Sequence, residues 1–188
     1  MKILLVRHGE TDYNKNRLIQ GHSDIELNET GRNQATSAGE KLSNHNIDYA
    51  FSSPLKRAVE TARLMLDNSN NEVNVNKEIT EDARLIEKFF GDFEESTFDE
   101  YFSALEAQIG LESIEKDEEV YERASSFFNE KYLNHKDETI LVVCHGAFIR
   151  IFLRTLGLYP ETNMLINNTA LNVLHYDGKD YILDKFNI

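Results

Sequence analysis

Two textures of apolar and polar positions alternate along this chain. Ile3 to Val6 is a short, partly branched apolar run that stops abruptly at charge, and Thr139 to Cys144 is a second, stronger one. Such runs predict buried strands of a parallel sheet. Tyr49 to Ser52 is a third candidate strand. Other stretches repeat apolar residues at helical spacing. One carries Ala35, Ala38 and Leu42 behind Asn28, a residue suited to cap it. A second carries Leu55, Ala58, Val59, Ala62 and Leu66 directly after Pro54, and a third Phe148, Ile151, Phe152 and Leu156, closing near Gly157 and Pro160. Asp177-Gly178 between two alternating runs predicts a hairpin. Strands alternating with helices predict an α/β fold, a three-layer α/β/α domain around a mostly parallel, mixed central sheet.

Three segments break this alternation. Residues 8 to 27 read as a long polar loop straight after a buried strand, a place where function is more common than filler. Asn68 to Asn76 reads as a polar turn region with room for one short strand. From about residue 92 to 135 two amphipathic helices are expected in succession. Phe98, Phe102, Leu105 and Ile109 mark the first, and Val120, Ala124, Phe127 and Phe128 the second, with the stretch 115–119 as their connection or the second helix's first turn. This pair reads as a helical insertion into one domain spanning residues 1–188.

Composition narrows the class. With 188 residues, 40% of them hydrophobic, the chain can build a substantial core. The net charge of −13 is uneven: Asp92 to Glu122 holds twelve carboxylates against Lys116, or −11. That run reads as a solvated helical face, and its sign disfavours nucleic acid and membrane surfaces as partners. Cys144 is the one cysteine, so neither an intrachain disulfide nor a Cys-x-x-Cys metal pair is available. The apolar start is too short for a signal-peptide core, and cytoplasm is the expected compartment.

Candidate chemistry gathers where strands are expected to end. Arg7-His8-Gly9-Glu10-Thr11 follows the first strand, at the edge where α/β sheets bind ligands. Cys144-His145-Gly146 repeats the arrangement at another strand exit, and the two could face each other across the sheet edge. The helix beginning near Ala147 is expected to offer free N–H groups to an anion. Ser52-Ser53-Pro54-Leu55-Lys56-Arg57-Ala58 is a third junction. Arg57 there lies in the first turn of its helix, where a cation opposes the helix dipole, and an anionic partner would account for it.

Taken together these residues resemble the histidine phosphatase superfamily, also called phosphoglycerate mutase-like. The resemblance rests on Arg7-His8-Gly9-Glu10, Asn14, Gln20-Gly21, Asp24, Leu27, Gly31, Gln34-Ala35, Arg57-Ala58, Thr61-Ala62, Glu87 before Phe90-Gly91, and His145-Gly146. It runs in order from residue 2 to about 154. It implies a phosphatase acting on small phosphomonoesters, with His8 attacking phosphorus to form a phosphohistidine. Arg7, Arg57 and a protonated His145 would surround the phosphoryl oxygens. Asn14, Gln20 and Gly21 would contact substrate. Glu87 would protonate the leaving group and then activate water. That dual role needs a carboxyl able to hold its proton near neutrality, which Phe89 and Phe90 could favour by desolvation. The rate should then fall on both sides of a mildly acidic to neutral optimum. No metal or other cofactor is called for. The expected partner is a small phosphorylated substrate, and the oligomeric state is open.

Three rivals accompany this reading. Cys144 to Arg150 also satisfies a Cys-x5-Arg spacing like that of cysteine-dependent tyrosine phosphatases, but it leaves Arg7, His8, Arg57 and Glu87 unexplained. A phosphoglycerate mutase would have to hold a second anionic group, against which the acidic segment and the short chain argue. A phosphate-pocket protein that binds without turnover would be expected to lack the nucleophile or the acid. Phe93, Phe98, Tyr101 and Phe102 either cover the pocket or pack the two helices on one another.

Overall fold

A computed structural model describes residues 1–69, 78–159 and 165–188. Six strands form its sheet: β1 (Lys2–Arg7), β2 (Tyr49–Ser52), β3 (Ile79–Glu81), β4 (Thr139–Cys144), β5 (Leu171–Tyr176) and β6 (Tyr181–Lys185). Their order is β3-β2-β4-β1-β5-β6. The β3–β2, β2–β4 and β4–β1 pairs are parallel, while β5 and β6 close one edge antiparallel. The expected mixed, mostly parallel α/β sheet is therefore present. Most of the chain outside residues 68–76 follows the expected elements, but Asn70 to Asn76 and Pro160 lie outside the described residues. The strand β3 begins later than that stretch, where three residues carry little periodic signal.

Alternation along each strand divides the core into two layers. Leu4 and Val6 of β1, with Leu141 and Val143 of β4, face helices α2 (Glu29–Leu42) and α3 (Lys56–Asp67). Ile3, Leu5, Ile140 and Val142 face the opposite way, toward α5 (Asp117–His135) and α6 (Gly146–Thr155). Burial on both faces is why β1 and β4 read as unbroken apolar runs. Asn28 caps α2 as expected, its Oδ1 accepting the Gly31 N–H at 2.8 Å. Asp177-Gly178 lies in the β5–β6 turn, where Asp177 Oδ1 accepts the N–H groups of Lys179 and Asp180.

The loop after β1 is less irregular than its composition suggests. It holds a four-residue helix, α1 (Asp12–Lys15), started by a reciprocal cap between Thr11 and Asn14. The acidic segment divides in two. Helix α5 buries Val120, Ala124, Phe127 and Phe128 completely and belongs to the core layer. Helix α4 (Phe98–Ala107) has no buried residue, and Phe102 and Ile109 are more than half exposed. Its aromatics pack on each other and on Phe90 and Phe93 rather than ring to ring with α5. No helix among the described residues is long and apolar enough to cross a membrane.

Candidate active site

The sheet brings the two histidine junctions side by side. β1 and β4 are neighbours with Arg7 opposite Cys144, and the His8 N–H continues the ladder to the Cys144 carbonyl at 2.9 Å. The His8 and His145 rings consequently lie 5.2 Å apart between centroids. Both are buried, at 2% and 0% exposure. Gly9 lets the chain turn here without a side chain, because a Cβ on it would lie 2.6 Å from the Gly31 carbonyl oxygen. Its N–H donates to Thr61 Oγ1, and that hydroxyl donates to the Arg57 carbonyl, tying the loop to α3.

His8 has a defined tautomer. Its Nδ1 lies 2.7 Å from the Gly9 carbonyl oxygen, which can only accept, so Nδ1 carries the hydrogen and Nε2 the lone pair in the neutral ring. Burial, reinforced by Arg57 and Arg7, holds this ring well below the usual histidine pKa. His145 is depressed in the same way, first by burial and then by Arg57, His8, Arg123 and Arg7. Both rings are therefore neutral without a ligand, so the protonated His145 expected around the phosphoryl oxygens would have to gain its proton together with the anion. Its Nε2 pairs with Ser53 Oγ at 2.7 Å, and its buried Nδ1 has no hydrogen-bond partner among the described residues.

The two arginines supply the positive charge. Arg57 is wholly buried, and its Nη atoms donate to the carbonyls of Ser23 and Gly21 at 2.7 and 2.8 Å. Arg7 Nη1 donates to the Ile166 carbonyl. Neither guanidinium has a hydrogen-bonded carboxylate among the described residues, and the Nε atom of each is buried without a partner. Burial pulls both down to about 10, so both stay charged at neutral pH. Buried cations held without a matching anion cost stability, and such sites are more often functional than structural.

Glu87 reaches the same place from the segment after β3. Its carboxylate accepts the N–H groups of Ala147 and Phe148 at 3.1 and 2.8 Å, and that of Lys88 at 2.9 Å. The amides expected to be free at the start of α6 are thus occupied by Glu87. Phe89 is 38% exposed with its ring against His22, and Phe90 packs on Tyr101, so the carboxylate's hydrogen-bonding environment is a helix terminus.

Asn14 Oδ1 is used up by the Thr11 N–H and hydroxyl and the Asn168 amide, while its Nδ2 donates to none of the described groups. Gln20 is buried and accepts from Thr11 Oγ1 at 2.9 Å. Gly21 has φ +50°, and a Cβ there would collide with the Glu94 carboxylate, so it contributes a carbonyl to Arg57. Glu94 fastens the same turn from the other side, accepting the N–H groups of His22 and Ser23. Ser53, Glu94, Arg123 and Asn168, which donates to the His8 carbonyl, were not legible as site residues. Each works through backbone or a second side chain, which leaves no local pattern.

Cys144 is fully buried inside β4, and burial pushes its thiol well above the usual cysteine pKa. An inert thiol of this kind removes the Cys-x5-Arg reading. Among the described residues no group of three or more His, Cys, Asp or Glu side chains is placed to hold a metal ion.

Two neighbouring histidines flanked by two arginines at the carboxyl edge of a mixed α/β sheet are the arrangement of the phosphoglycerate mutase-like class of proteins. The sequence profile of the histidine phosphatase superfamily (branch 1) matches residues 3–188, and the chain belongs to that superfamily. It is a phosphatase of that group. It is 33% identical to phosphoglycerate mutase-like protein 4 of Arabidopsis thaliana, over 97% of this chain and 83% of that one. It is 30% identical to a metal-independent phosphoserine phosphatase of the same plant, over 98% and 80%. Among solved structures it resembles a phosphoserine phosphatase from Entamoeba histolytica in complex with 3-phosphoglyceric acid. The TM-score is 0.81 and the identity 27%, covering all of this chain and 96% of that one.

Proposed function

We propose that the chain hydrolyses small phosphomonoesters without a metal, through a phosphohistidine on His8. The observation that carries this reading is the fixed tautomer of a neutral, buried His8 beside two arginine donors, Arg7 Nε and Arg57 Nε, and a ring nitrogen, His145 Nδ1, that have no hydrogen-bond partner among the described residues. A lone pair at Nε2 is what nucleophilic attack on phosphorus needs, and donors of this kind suit the charge on a transferring phosphoryl group.

In the first step His8 Nε2 forms a bond to phosphorus while the bond to the leaving oxygen breaks. Glu87 gives that oxygen its proton. Arg7 and Arg57 stabilise the charge on the phosphoryl oxygens, and a phosphate dianion would draw a proton onto His145. In the second step water attacks phosphorus, Glu87 takes its proton, and the bond to nitrogen breaks, returning neutral His8 and inorganic phosphate. Asn14 adds a neutral donor through Nδ2. Gln20 and Gly21 act on substrate through the turn they build around Arg57. The names of the relatives support small phosphorylated hydroxy acids as the first substrates to try.

The test is phosphate release from such a panel in EDTA, with wild type and His8→Ala compared. Turnover by wild type alone supports the reading. Turnover that EDTA abolishes, or that His8→Ala retains, overturns it. Because His8 is depressed below 6.5, the loss of kcat/KM caused by its protonation is expected in acid rather than near neutrality. That shifts the acid limb below the position expected for an ordinary histidine.

A further inference from the structure

Arg123 makes no hydrogen bond to His8, His145, Arg7 or Arg57, and its five N–H groups are divided between the Glu115 carboxylate and the backbone of the segment that delivers Glu87. A guanidinium has five N–H groups in a rigid fork. Nε and Nη2 of Arg123 grip the Glu115 carboxylate at 2.7 and 3.1 Å. Nη1 donates to the carbonyls of Arg84 and Ile86 at 2.8 and 2.6 Å, and Nη2 to that of Glu87 itself at 3.1 Å. The Glu87 carbonyl receives His22 Nε2 as well, at 2.9 Å.

This segment follows β3 through one 3-10 turn, Ala83–Leu85, and precedes another at Gly91–Phe93, so no sheet or α-helix holds the carbonyls of Ile86 and Glu87. Arg123 stands on α5, whose buried face is locked into the core. Its guanidinium also sits 5.3 Å over the Phe148 ring, and the Phe148 N–H is one of the donors to the Glu87 carboxylate. One side chain therefore ties the backbone of Glu87 to the helix turn that receives its carboxyl group.

We propose that Arg123 is a positioning residue for the proton donor, fixing where Glu87 stands relative to the leaving oxygen and leaving the phosphate cradle alone. The inference rests on the reading of Glu87 as the acid. Lysine keeps the charge but offers three donors from a single point, so it cannot hold Glu115 and three carbonyls at once. A displacement of about 1 Å in a catalytic group costs on the order of 10²-fold in rate.

The experiment compares kcat/KM, which ends at formation of the phosphohistidine, for two substrates. Glycerol phosphate leaves as a poor alkoxide that needs a proton, whereas p-nitrophenyl phosphate leaves as a stable phenolate that does not. Arg123→Lys is expected to lose about 10- to 100-fold on glycerol phosphate and less than about threefold on p-nitrophenyl phosphate. Competitive inhibition by inorganic phosphate should be unchanged. Val120→Ala on the same helix, destabilised but with the fork intact, should lower both substrates alike. Equal losses on both substrates for Arg123→Lys, or none, overturn the proposal. If Arg123→Lys does not fold, Glu115→Gln must show the same split at smaller amplitude, and its absence overturns the proposal equally. Glu87→Gln serves as the reference. If it shows no split, the reading of Glu87 fails, whereas a split in Glu87→Gln without one in Arg123→Lys sinks the present inference alone.

Discussion

The arginines of the pocket and those of the segment above it live in opposite conditions. Arg7 is partly buried and Arg57 fully buried, at a strand end and a helix start; both donate to backbone carbonyls and are pulled down by desolvation. Arg84, a few residues before Glu87, is pushed up by its bonds to Asp82 and Glu130 near the surface. Arg123 is likewise matched to Glu115. One residue type thus serves two ends. Where carboxylates neutralise it, arginine organises backbone. Where only carbonyls hold it, it keeps a net charge and free donors for an incoming anion. The protein tolerates that cost at the pocket because the sheet on one side and α3 on the other leave the groups no room to relax.

Four substitutions and one titration probe this contrast. The largest effect is expected from His8→Ala, which removes the proposed nucleophile and should cut phosphate release by about 10³-fold or more with melting temperature little changed. A comparable loss of stability would mean that the ring serves packing. Phe128→Ala empties the core beneath the segment and should cost about 3–5 kcal/mol in denaturant unfolding. A cost below about 1 kcal/mol would mean α5 is not the anchor described. Gly21→Ala sets a Cβ against Glu94 in a left-handed conformation and should cost about 1–3 kcal/mol, with kcat/KM falling because Arg57 loses its seat. Unaltered kinetics would detach the turn from the pocket.

Acid should expose the buried histidines. Below about pH 6.5 an unfolded chain takes up protons that the folded His8 and His145 refuse, so stability falls with pH, by at most about 1.4 kcal/mol per unit and per ring. Urea midpoints at pH 7.5 and 5.0 measure it, and His8→Ala should flatten the slope. The smallest effect belongs to Phe102→Ser on exposed α4, within about 0.5 kcal/mol and without change in kcat/KM on small substrates. A marked kinetic effect there would place α4 over the pocket.

Much of this molecule was written locally. The apolar runs of β1 and β4 declare strands buried on both faces, and the helical spacing of α2, α3, α5 and α6 follows the layers they cover. Arg7, His8, Arg57 and His145 were legible because each stands at a strand or helix boundary within a short recognisable string. The four-residue α1 and the three-residue β3 were not, since elements so short carry almost no periodicity.

What only the tertiary structure decided is the electrical state of the site and the means by which it is held. Sequence names His145 but not its neutrality, because that follows from burial among Arg57, His8, Arg123 and Arg7, drawn from distant stretches of chain. It names Glu87 and it names the amides at the start of α6, but not that the one occupies the other from sixty residues away. Nor does it separate Arg123 from any other basic residue on a helix. Hydrogen bonds to carbonyls leave no mark in the identity of the residues that supply them, so a fork that grips backbone becomes visible only when the chain has folded around it.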